Sequence, residues 1–143
     1  PRRRFLRRKE SSVSLWTLND YGRQVAVLES DDSDGLEEML HRLLDAMRKV
    51  FRVADEPLVN IVCSYSRPRW TMLLFPRTKH RPEEYFREGP DRIVISPAAV
   101  DMGGFIVTPV QADYERVTPQ LVGGIFRQVS PDAETMVRII EAL

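Results

Sequence analysis

One cysteine and two histidines are all that this 143-residue chain has of the side chains most used for disulfides, soft-metal sites and proton transfer near neutrality. Cys63 alone closes no internal disulfide, which fits a reducing cytoplasm. Acting as a nucleophile, it would need a neighbouring base and an electropositive setting. Its place in an apolar strand pattern favours instead a small buried hydrophobe. His41, His80 and Cys63 do not make a zinc set, so no metal and no cofactor is expected. The seven glycines form no phosphate-cradling loop. The longest apolar runs, such as Met72 to Pro76, fall far short of the roughly 20 residues that span a bilayer. No long apolar stretch follows the basic start, where the chain runs directly into Lys9-Glu10-Ser11-Ser12, so neither a membrane span nor a secretory signal is indicated.

Positive charge is unevenly spread. Arg2, Arg3, Arg4, Arg7, Arg8 and Lys9 are six of the 21 basic residues, and setting them aside leaves 15 against 21 acidic, a net of −6. Residues 1–10 therefore read as a basic arm and residues 11–143 as one domain with an acidic body. Such an arm suits nucleic acid or an acidic lipid surface, but a solvated arm or a leading strand is the simpler reading, and the acidic body argues against nucleic acid. Apolar residues at 43% and charged ones at 29% exclude a disordered or fibrous chain. A domain of this length buries roughly two-thirds of its unfolded surface.

Periodicity predicts an α+β fold, an antiparallel sheet flanked by helices. Val13, Leu15 and Thr17 alternate with Ser14, Trp16 and Leu18. The turn Asn19-Asp20-Tyr21-Gly22 then leads to a second strand over Gln24 to Ser30. Leu36, Met39, Leu40, Leu43, Leu44, Met47, Val50 and Phe51 form one helical stripe, entered through Asp31 to Gly35 and ending near Arg52. Leu58 to Tyr65 and Trp70 to Phe75 make a hairpin around Pro68, which cannot donate to a ladder. Further expectations are a loop from Pro76 to Pro90 with a helical turn at Glu83 to Arg87, and short strands at Arg92 to Ile95 and Phe105 to Thr108. Helices should open at Ser96-Pro97, Thr118-Pro119 and Ser130-Pro131. Leu121, Val122, Ile125, Phe126 and Val129 line the first of the two C-terminal helices and Ala133, Met136, Val137 and Ile140 the other; Gly123-Gly124 weakens the first, or lets something pack close.

The chemistry concentrates just past the hairpin. Arg77, Lys79, His80 and Arg81 offer two guanidiniums, an ammonium and an imidazole within five residues, all donors that suit phosphate oxygens. The plainer reading is solvation, or pairing with Glu83, Glu84 and Asp91. His80 is the one candidate acid or base, yet no Ser, Cys or Asp close in sequence completes a dyad. His41 falls off the helical stripe and reads as a surface residue. The Ser96 to Ala99 N–H groups suit an anion, and Gly103-Gly104 a close backbone approach; an ordinary helix-to-strand connection explains both equally. Tyr65 and Trp70 suit stacking on a base or sugar, or a cross-strand pair.

The order Asn60-Ile61-Val62, hairpin, Trp70-Thr71-Met72-Leu73-Leu74-Phe75-Pro76-Arg77, then Ser96-Pro97-Ala98-Ala99-Val100-Asp101-Met102-Gly103-Gly104, resembles the C-terminal half of the histidine-triad (HIT)-like nucleotidyltransferases and phosphorylases. That superfamily includes ATP adenylyltransferase (diadenosine tetraphosphate phosphorylase) and the GDP-hexose phosphorylases, and the pattern is most similar to a bacterial group within it. The resemblance covers roughly residues 56–129. It implies Asn60, Trp70 and Met72 toward a nucleoside, and Arg77, Lys79, His80 and Arg81 toward phosphates. The His-x-His-x-His or His-x-His-x-Gln strand that carries the nucleophile in relatives has no counterpart here.

Two expectations follow. The first is a C-terminal, ligand-supporting part of a nucleotidyltransferase or phosphorylase acting on nucleoside di- or polyphosphates, with a nucleotide or nucleotide-sugar and an N-terminal half of the same protein as partners. The second is a HIT-like binding or interaction module without catalysis, self-associating through an exposed sheet edge.

Overall fold

The computed structural model describes residues 3–4, 12–18 and 21–143. Among the described residues five antiparallel strands form one sheet: β1 (Arg3–Arg4), β2 (Ser14–Leu18), β3 (Ala26–Ser30), β4 (Val59–Ser66) and β5 (Arg69–Pro76), in the spatial order β1-β2-β3-β5-β4. The β4–β5 hairpin is the longest ladder, running from Val59 opposite Pro76 to Ser66 opposite Arg69, with a cis Arg67–Pro68 bond in its turn. Arg3 and Arg4 pair with Leu18 and Thr17, so part of the basic arm is a strand. The rest of that arm, and Asn19-Asp20 of the first hairpin turn, lie outside the described residues.

Helix α1 (Ser33–Phe51) follows from its stripe: Leu36, Met39, Leu43, Ala46 and Met47 are buried. Asp32 caps it, accepting from the Asp34 and Gly35 N–H groups at 3.1 and 3.2 Å, while Ser12 Oγ donates to the same carboxylate at 2.7 Å. A Cβ on Gly35 would stand 2.6 Å from Asp32 Oδ2 and 2.7 Å from Ser12 Oγ, so a side chain there would shift both groups. Period 2 then sorts the sheet residues between two cores. Leu15, Ala26, Leu28 and Leu74 pack under α1 and α5 (Ala133–Glu141), where Met136, Ile139 and Ile140 are buried. Trp16, Val27 and Phe75 face the other way, against Met102 of α2 (Ala99–Met102) and Phe126 of α4 (Pro119–Val129). A further short helix, α3 (Gln111–Arg116), precedes α4.

Several local expectations change. Arg92 to Ile95 is extended but joins no ladder: Ile93 and Ile95 are buried beside Ile125, and the Val94 N–H donates to the Asp113 carboxylate at 2.7 Å. A side chain thus satisfies the backbone that a neighbouring strand would have served. Phe105 to Thr108 is irregular, with Phe105 74% exposed. The four-residue α2 starts at Ala99, two residues later than the Ser96-Pro97 signal, and Ser96 Oγ instead donates to the His80 carbonyl at 3.4 Å. Thr118 caps α4 as expected, accepting from the Leu121 N–H. Asp132, not Ser130, caps α5, accepting from the Thr135 N–H at 2.7 Å. Cys63 is exposed, because β4 is a sheet edge that α1 does not cover.

Candidate functional site

The segment after β5 is pinned from both sides. The Arg77 N–H extends the ladder to the Leu58 carbonyl at 2.8 Å, and the Thr78 N–H bonds to the Val129 carbonyl at 2.9 Å. Thr78 Oγ1 reaches the Gln128 carbonyl at 3.3 Å. The Arg77 side chain turns inward, only 6% exposed, and its Nη2 donates to the His80 carbonyl, which also accepts from Ser96. Lys79 Nζ lies 3.5 Å from Glu83 Oε1, and the Arg81 guanidinium sits 4.1 Å over the Tyr85 ring. His80 is exposed. The four groups therefore do not close on one cavity: Arg77 braces the loop from beneath, while Lys79, His80 and Arg81 stand along its outer side.

Beneath the loop lies a buried carboxylate whose charge acts on Arg77 through space. Asp101 is 4% exposed, and its carboxylate accepts from the Ala98 N–H at 2.7 Å and the Val107 N–H at 3.4 Å. One N–H at the start of α2 is thus taken by the chain's own carboxylate. Burial lowers the Arg77 pKa and the Asp101 charge opposes that shift, so the guanidinium stays charged inside. Asp101 has no local spacing signal as an internal counter-charge. Only the fold brings α2 to the end of β5.

Asn60 pairs with Phe75 on the face that Arg77 shares, two residues further along. Two donors there, Asn60 Nδ2 and Arg77 Nε, are buried without an acceptor among the described residues. Trp70 and Met72 have the opposite parity, packing at the margin of the core under α1. Trp70 makes the cross-strand aromatic pair with Tyr65, ring centres 4.4 Å apart. A single nucleoside on one face of the sheet therefore meets Asn60, or Trp70 and Met72, but not all three. His41 is exposed and 3.7 Å from Glu37, as its place off the stripe implied.

Two adjoining hollows that sequence reading missed lie beside α4. One, of about 500 Å³, is lined by Tyr21, Ile106, Val117, Pro119, Val122 and Phe126 among others. The second, of about 550 Å³, has Gln24, Thr78, Arg127, Ser130 and Thr135 on its walls. Gly22 and Arg23 belong to both. A third, of about 420 Å³, lies between Pro90, Val94 and Arg116. Among the described residues, no group of three or more His, Cys, Asp or Glu side chains is placed to hold a metal ion, and no helix is long and apolar enough to cross a membrane.

No curated protein and no solved structure matches the chain. The family described as "GDPGP1-like, C-terminal domain" matches residues 1–142, which takes in the basic arm, strands β1 to β5 and helices α1 to α5. With a match of that extent, the chain belongs to the GDPGP1-like C-terminal domain family, the C-terminal domain of the GDP-hexose phosphorylase group.

Proposed function

We propose that this domain is the C-terminal, ligand-supporting part of a phosphorylase or nucleotidyltransferase acting on nucleoside di- or polyphosphates, a nucleoside diphosphate hexose above all. The family match carries the reading. The pinned loop supports it, because a backbone held at Arg77, Thr78 and His80 lets exposed cations meet an anionic ligand with little further ordering. In this reading Lys79, His80 and Arg81 contact phosphates, Arg77 holds them in place from below, and Asn60 lies toward the nucleoside. Their contribution is charge stabilisation. The covalent step belongs to an N-terminal half, since the chain's two histidines, His41 and His80, form no His-x-His strand.

The test is phosphate-dependent release of hexose 1-phosphate from a GDP-hexose. Activity is expected from a polypeptide joining this domain to its N-terminal half, and none from the domain alone. Replacing Lys79 and Arg81 together by Gln should lower kcat/KM about tenfold or more, given roughly 1.5–3 kcal/mol per charged hydrogen bond. Nucleotide silence from both polypeptides removes the reading.

One observation favours the interaction-module reading. β4 is an edge strand of eight residues with Ile61, Cys63 and Tyr65 exposed. Such an edge accepts a further strand. Light scattering decides this: a self-associated species without nucleotide affinity supports it, and a monomer at high concentration opposes it.

A further inference from the structure

Gly123-Gly124, in the middle of α4, has a tertiary reason. Arg127, one turn on, lies back across the bare helix surface, its Nη1 3.4 Å and Nη2 4.0 Å from where a Cβ would sit on Gly123 and Gly124. The Arg127 side chain thereby reaches from the polar hollow toward the apolar one. Arg23 stands on the wall common to both, its guanidinium 3.6 Å from the Phe126 ring centre and 4.0 Å from the Met102 sulfur. Among the described residues neither arginine has a carboxylate partner. Asp132 also lines the polar hollow, but its carboxylate caps α5 and accepts from the Thr135 N–H. Two guanidiniums with the hydroxyls of Thr78, Ser130 and Thr135 thus adjoin a floor made of Phe126, Val122 and Tyr21.

That juxtaposition has the chemistry of an amphipathic ligand site. Each hollow falls within the roughly 300–1,000 Å³ of small-molecule sites, which are mostly apolar with a few polar groups that fix orientation. Guanidiniums favour the phosphate geometry of two parallel N–H···O bonds. Aromatic and aliphatic side chains favour a flat apolar body. We infer that the Arg23–Arg127 cleft beside α4 binds a phosphate monoester of a flat apolar group, with the phosphate between the two arginines and the ring on Val122 and Pro119. This site is separate from the Lys79–Arg81 loop and goes beyond the reading given for it.

Backbone amide shifts in NMR titrations of the 143-residue chain locate the ligand. With 1-naphthyl phosphate, saturable shifts are expected at Gly22, Gly123 and Gly124, at least tenfold tighter than with inorganic phosphate or with 1-naphthol alone. Arg127→Gln, at an exposed position, should weaken naphthyl phosphate at least fivefold while its spectrum stays dispersed. AMP and GMP arms distinguish a nucleotide from a smaller aryl phosphate as the natural source; tighter binding of either supports the site. Shifts confined to Lys79 through Arg81, absence of saturable shifts, or parental affinity in Arg127→Gln overturns the inference. Because none of these readouts is phosphorolysis, failure here leaves the phosphorylase reading standing, and the reverse holds as well.

Discussion

Replacing Asp101 by Asn removes the charge beneath the basic loop while almost preserving shape. The carboxylate is 4% exposed and accepts two backbone N–H groups, from Ala98 at 2.7 Å and Val107 at 3.4 Å. An amide has one oxygen, so one of those N–H groups would face another donor, and a buried unsatisfied donor costs about 1–3 kcal/mol. The Arg77 guanidinium would also lose the carboxylate that opposes its desolvation. With an effective dielectric near 20, that attraction is worth at most about 4 kcal/mol at 4 Å and less beyond it. The expected loss is about 2–5 kcal/mol, the orphaned hydrogen bond plus part of that attraction. Against a typical total of about 5–15 kcal/mol, that is a large share. Urea unfolding followed by far-UV circular dichroism measures it. In an Arg77→Met background no buried cation remains, and the same substitution should cost only about 1–3 kcal/mol, the hydrogen-bond part. Equal losses in the two backgrounds, or a loss under about 1 kcal/mol in the parent, would refute electrostatic coupling between α2 and the loop.

Three further outcomes test the frame that holds the sites. Arg52 ends α1 with φ 56°, a left-handed conformation that disfavours a side chain, so Arg52→Gly should stabilise the fold by about 0.5–1 kcal/mol in a thermal melt; a fall in Tm would contradict the cap assignment. Asp32 and Asp132 have pKa values below the ordinary 3.8, Asp32 first through Ser12 and Asp132 first through the Thr135 N–H. A depressed folded-state value means that their stabilisation is complete above about pH 4 and is lost as pH falls through the folded pKa, so Tm should decline below that point and less steeply in Asp32→Asn; an unchanged slope counts against the cap. Gly123→Ala should raise stability by about 0.5–1 kcal/mol in urea, because 3.4 Å from Arg127 Nη1 is ordinary contact and Ala favours helix; marked destabilisation would show that the arginine needs the bare surface.

Local patterning determined much of this molecule. The α1 stripe, the β4–β5 hairpin with Pro68 in its turn, the Thr118 cap and the α+β class all follow from spacing and turn chemistry, since each depends on residues within a few positions of one another. Segments stabilised by distant partners were less legible. Arg92 to Ile95 has strand-like alternation, yet the acceptor for its Val94 N–H is a carboxylate on α3, 19 residues away. Ser130-Pro131 has a helix-opening signature, but Asp132 reaches the free N–H of Thr135.

The sites divide the same way. Composition alone marked the basic run after β5, and family likeness marked Asn60, Trp70 and Met72. Whether those side chains converge is a matter of sheet parity and burial. Tertiary structure decided that Arg77 points inward, that Asn60 and Trp70 lie on opposite faces, and that Arg23 and Arg127, 104 positions apart in sequence, line one hollow. The reason is physical: a strand's two-residue period and a helix's bare surface are written locally. The neighbour that fills each space is supplied only when the whole chain packs.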